Sequence, residues 1–137
     1  MSTPMISVVD DDTSVRFAIE NLLRSRDYIV HTFASAEKFL HSPQLSETSC
    51  VIADVQMAMM SGLDLLREMR AQRYDAPFIF MTACGSDRIR TSELNRGAVG
   101  LLAKPFAGHT LFKHLDAALE QHRDDADALD NEPSAQL

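Results

Sequence analysis

The segment Met5-Ile6-Ser7-Val8-Val9-Asp10-Asp11-Asp12 drives a short apolar run straight into three carboxylates. The same construction recurs along the chain. Cys50 to Ala53 runs into Asp54, Phe78 to Met81 closes on Thr82, and Val99 to Ala103 stops at Lys104-Pro105. Short apolar runs cut off by polar residues read as strands buried on both faces, the pattern of a parallel sheet. Tyr28 to Phe33 is a fifth, weaker and alternating run.

Each run is followed by residues at helical spacing. Val15, Ile19, Leu22 and Leu23 fall on one helix face, and Ser35 is placed to cap a short helix carrying Ala36, Phe39 and Leu40 before Pro43. Gly62 precedes Leu63, Leu66 and Met69. Ser86 to Arg96 offers Ile89 and Leu94 as anchors and ends at Gly97, making it the most polar helix of the set. The last helix carries Leu111, Phe112, Leu115, Ala118 and Leu119. Five strand–helix alternations predict an α/β fold: a doubly wound, five-stranded parallel sheet with helices on both faces.

The chain has 137 residues, room for one ordinary domain, and 45% of them are hydrophobic, enough for a packed core. Its formal net charge of -7 argues against a surface built to neutralise nucleic-acid phosphates. More than half of that charge belongs to the stretch from Gln121 on, with Asp124, Asp125, Asp127, Asp130 and Glu132. Residues 1–120 are read as the domain and 121–137 as an acidic helix end and solvated tail. No apolar run is long enough to span a bilayer, and Met1 to Val9 lacks the features of a signal peptide. Cys50 and Cys84 make neither a disulfide framework nor a zinc pattern. A reduced, cytoplasmic protein is expected.

In a parallel sheet the carboxyl ends of the strands share one edge, where ligands bind. Asp10, Asp11, Asp54, Thr82 and Lys104 therefore converge. Three carboxylates crowded together are costly unless a cation joins them. With Lys104 and one divalent metal, the charges of the set cancel. Mg²⁺ suits such oxygen donors and accepts phosphate oxygens as well. A site of this kind fits phosphoryl transfer, and an aspartate can attack phosphorus itself. Asp54, alone at its strand end, is the candidate nucleophile.

Taken together, Val9-Asp10-Asp11-Asp12, Asp54 to Gly62, Met81-Thr82-Ala83 and Lys104-Pro105-Phe106 resemble the receiver domain of two-component response regulators. The resemblance covers about residues 5–120 and is strongest to the branch holding nitrogen-fixation and nodulation regulators. It implies a flavodoxin-like strand order 2-1-3-4-5. It further implies that Asp54 is the phosphoacceptor, and that Asp10, Asp11, Asp54 and the backbone carbonyl of Gln56 ligate Mg²⁺. Thr82 resembles the hydroxyl that turns towards the phosphoryl group, and Lys104 the cation that contacts it. The Lys104–Pro105 bond is commonly cis in the family. A sensor histidine kinase is the implied donor. Either a homodimer or an output protein is expected to use the face made by the Ser86 to Arg96 helix, the fifth strand and the last helix.

Two residues depart from the family pattern. Ala58 stands where proline is usual, which predicts a less constrained loop. Leu101 stands where an aromatic residue is common, so switching through a rotating ring has no ring to use. Plainer readings attach to the neighbours. Asp12 is expected in a solvated first helical turn, Met57, Met59 and Met60 in packing, and Cys84 as a small, buried or half-buried thiol. His31, His41, His109, His114 and His122 show no ligand spacing.

Other classes fit less well. A haloacid-dehalogenase-type phosphatase uses a second aspartate two residues past its nucleophile, where this chain has Gln56, which cannot act as a general acid. No Gly-x-Gly-x-x-Gly or Walker pattern follows a strand, which counts against a flavin or nucleotide module. Nothing after residue 120 has the periodicity of a helix-turn-helix, so this chain is not expected to bind DNA. It is read as a stand-alone receiver or a receiver fragment of a transcriptional regulator.

Overall fold

The computed structural model describes residues 3–83 and 98–131. Within them lie β1 (Met5–Val9), α1 (Thr13–Arg24), β2 (Ile29–Phe33), α2 (Ala36–Leu40), β3 (Cys50–Asp54), α3 (Gly62–Ala71), β4 (Phe78–Thr82), β5 (Ala98–Ala103) and a C-terminal helix, Gly108–Asn131. A single 3₁₀ turn, Leu45–Glu47, leads into β3. The strands form one parallel sheet in the order β2-β1-β3-β4-β5, as the resemblance implied. The polar helix expected over Ser86 to Arg96 falls outside the described residues, as does Cys84. The acidic stretch assigned to a helix end is helical through Asn131.

The sheet separates two cores. On one side Ile6, Val8, Ile52, Ile79 and Met81 pack against Ile19 and Leu23 of α1 and Leu111, Leu115 and Ala118 of the C-terminal helix. On the other, Val9, Val51, Ala53, Phe78 and Phe80 meet Ala36 and Phe39 of α2 and Leu65, Leu66 and Met69 of α3. Alternate residues of β1, β3 and β4 feed opposite cores, which is why those runs carry no polar face. Burying each large side chain contributes about 1.5–3 kcal/mol.

Capping sets where the helices begin. Asp12 is the N-cap of α1, accepting from the Ser14 and Val15 N–H groups at 2.8 and 3.2 Å. It thus lies just before the first turn. Ser35 caps α2 through the Lys38 N–H, as its position predicted. Ser61 and Asp64 form a reciprocal capping box at α3, a Ser-x-x-Asp pattern that sequence reading passed over. In α3 the buried face is Leu65, Leu66 and Met69, while Leu63 is partly buried.

Candidate functional site

Strand register builds the site. Val9 of β1 pairs with Ala53 of β3, so Asp10 and Asp54 follow side by side at the same edge. Asp54 pairs with Met81, and Thr82 with Ala103, which brings Lys104 to the same edge from the far strand. The Lys104 N–H donates to the Thr82 carbonyl at 2.7 Å, fixing where the lysine stem departs. The Lys104–Pro105 bond is cis.

From there Lys104 Nζ donates to Asp54 Oδ2 at 2.7 Å and Asp10 Oδ2 at 2.9 Å. Asp10 is fully buried, Asp54 is 7% exposed and Thr82 2%, whereas Asp11 lies open to solvent. Oxygens of Asp10, Asp11 and Asp54 all come within 4.8 Å of one another. Burial pushes the Asp10 carboxyl above its usual value, although hydrogen bonds from Lys104 and the Asp12 N–H pull it down and Asp54 adds repulsion. Burial alone would lower the Lys104 ammonium, but its bonds to Asp54 and Asp10 outweigh that and raise it. The lysine therefore stays charged, and one ammonium faces three carboxylates.

The carboxylates are held in place by the backbone. Asp54 Oδ1 accepts the Gln56 N–H at 2.9 Å, and Asp10 Oδ1 accepts the Asp12 N–H at 2.9 Å. Asp11 Oδ2 accepts the Ala58 N–H at 3.4 Å, linking the β1 and β3 loops across the pocket. Arg16 reaches back from α1 to the Asp10 carbonyl at 2.6 Å. Gly62 N–H donates to the Val55 carbonyl at 3.0 Å, and a Cβ at Gly62 would collide with the Asp54 carbonyl oxygen. Arg16 was not singled out from the sequence, and Gly62 was named only as the residue that opens a helical pattern. The Ser61-Gly62 pair before an apolar helical pattern was the available signal for the second.

Five predicted site residues, Asp10, Asp11, Asp54, Thr82 and Lys104, meet at this edge, and Gln56 follows Asp54 with its N–H turned onto the carboxylate. The loop after Asp54 carries Met59 at φ 70° and 92% exposed, one residue past Ala58. Met57 and Met60 pack against the α2–α3 core as expected, whereas Met59, also expected in packing, points to solvent. Leu101 is 40% exposed on β5. Three hard carboxylate donors at this separation suit an oxygen-seeking divalent cation, which would offset the excess negative charge.

A doubly wound parallel sheet with an acidic pocket and a lysine at its carboxyl edge is the arrangement that the receiver resemblance implied. The Response regulator receiver domain family matches residues 6–116, and the chain belongs to that family. It is 36% identical over 119 residues to nodulation protein W of Bradyrhizobium diazoefficiens, covering 87% of this chain and 52% of that protein. It is 35% identical over 122 residues to transcriptional regulatory protein TdiR of Thauera aromatica, covering 89% and 54%. The chain spans about half the length of these curated relatives. Among solved structures, response regulator StyR superimposes with a TM-score of 0.86 at 33% identity, covering 93% of this chain and 64% of that one. The crystal structure of FixJ-N gives 0.76 at 26% identity, covering 88% and 96%. The chain is therefore a receiver domain of the two-component type.

Proposed function

We propose that Asp54 is the phosphoacceptor of this receiver and that Asp10, Asp11, Asp54 and the Gln56 carbonyl hold Mg²⁺. The observation that carries this reading is the contact of Lys104 Nζ with Asp54 Oδ2 at 2.7 Å inside a pocket of three carboxylates. A carboxylate oxygen of Asp54 attacks phosphorus, an O–P bond forms, and the bond from phosphorus to the donor breaks with its electron pair leaving on the donor. A histidine kinase phosphohistidine is the physiological donor in this reading. Lys104 meets the negative charge on the incoming phosphoryl oxygens, and the Thr82 hydroxyl turns towards them once they arrive. Bound Mg²⁺ supplies charge neutralisation between the carboxylates and the phosphoryl oxygens.

The domain acts as a signalling module that promotes its own phosphorylation and dephosphorylation, and turns over no separate substrate. The output surface in this reading includes β5 and the C-terminal helix, the segment Ser86 to Arg96 lying outside the described residues, and serves a homodimer or a downstream protein. Leu101, exposed on β5, supports an exchange of contacts there without a rotating ring. The acidic balance argues against nucleic acid as a ligand of this chain, and a cytoplasmic location belongs to the same reading. No helix among the described residues is long and apolar enough to cross a membrane.

Acetyl phosphate with Mg²⁺ should phosphorylate the chain, and excess chelator should stop it. Uptake undiminished in chelator would contradict the metal assignment. Hydrogen exchange with beryllofluoride reads the output face. Changes limited to α1 and α2 would contradict that surface.

A further inference from the structure

We propose that Arg16 is a positioning residue for the metal site, holding the Asp10–Asp11 peptide so that the Asp11 carboxylate stays beside Asp10 and Asp54. The inference rests on the Mg²⁺ reading above. The Arg16 fork reaches two acceptors: Nη1 donates to the Asp10 carbonyl at 2.6 Å and Nη2 to the Thr13 hydroxyl at 3.2 Å. Asp10 is otherwise tied through its N–H to the Phe33 carbonyl at 3.1 Å, and through its carboxylate to Asp12 and Lys104. Its carbonyl is the remaining polar group, and it belongs to the peptide that sets the direction of Asp11. Asp11 itself is exposed, and its bond from the Ala58 N–H is long at 3.4 Å. The carboxylate therefore depends on its backbone for its place. A charge-assisted bond to that peptide is a strong restraint on it.

The sign of the effect separates positioning from charge. A guanidinium near an acidic pocket repels an incoming cation, so a purely electrostatic Arg16 would weaken Mg²⁺ binding and its removal would tighten it. A positioning Arg16 does the reverse. Lysine keeps the charge and loses the planar two-point fork.

Calorimetric titration with magnesium chloride tests this on the whole chain, using wild type, Arg16→Met, Arg16→Lys and Asp11→Asn. Both Arg16 variants should bind Mg²⁺ about tenfold more weakly than wild type, the loss typical of removing a group that orients a ligand. Their melting temperatures in chelator should stay near that of wild type. Equal or tighter binding by Arg16→Met would overturn the proposal, and so would wild-type affinity in Arg16→Lys. Wild type that binds no more tightly than Asp11→Asn would overturn the metal reading itself, a different result from either of those.

Discussion

Lys104 Nζ stands 2.7 Å from Asp54 Oδ2, although the two residues are brought together from strands separated by β4 in the sheet. The contact spans fifty positions of sequence and ties the last strand to the middle of the sheet. It places a fixed positive charge where an incoming phosphoryl group would carry its negative oxygens. The same ammonium also serves Asp10, so a ligand that draws Lys104 away leaves a buried carboxylate without that partner.

Lys104→Met should therefore slow phosphorylation by acetyl phosphate about 100-fold, the scale of removing one preorganised donor from developing charge. Stopped-flow or time-resolved intact-mass measurements at saturating Mg²⁺ would read it. Equal rates in variant and wild type would contradict the role of the lysine.

Gly62→Ala should destabilise the fold by about 1–3 kcal/mol, because the added Cβ meets the Asp54 carbonyl and the backbone must shift. Denaturant unfolding gives the stability, and phosphoryl uptake should fall with it. An unchanged unfolding midpoint would show that the α3 start does not press on the site.

Ser61→Ala removes the oxygen that accepts the Asp64 N–H at 3.1 Å and leaves one half of the capping box. A loss of about 1 kcal/mol is expected. Hydrogen exchange should quicken in the first turn of α3, whereas β1 and β3 keep their protection.

The Cys50 thiol is fully buried, and burial pushes it well above its ordinary value of 9.0. Above that value the unfolded chain ionises while the folded one keeps its proton, so stability should fall as pH rises past it. In mildly alkaline buffer Cys50 should resist alkylation until denaturant is added, as read by mass spectrometry of its peptide. Rapid labelling of the native protein would show that this part of β3 opens.

The strand ends were legible because each apolar run stops at the polar residue that enters the site. Asp10, Asp54, Thr82 and Lys104 are read from sequence for the same reason that they meet in space: parallel strands share a carboxyl edge. Gly62 was less legible, since a glycine before a helix looks like local punctuation until the Asp54 carbonyl is seen against it. Arg16 gave no signal at all. Its position reads as one polar face of an amphipathic helix, and its contact with the Asp10 carbonyl depends on how the chain turns at Asp12. Met59 shows the same limit, because its positive φ is set by the loop and not by any residue preference for that region. Asp12 was expected in the first turn and proves to be the cap, a shift of one position that turns a solvated charge into a hydrogen-bond acceptor for two N–H groups.

The central claim is that Asp54 accepts the phosphoryl group. Incubation with acetyl phosphate and Mg²⁺, followed by rapid peptide mapping in acid, should place a single phosphoryl group on the peptide containing Asp54. Asp54→Asn should take up none there. A phosphoryl group found on another residue of the wild-type chain, with Asp54 unmodified, would contradict the account.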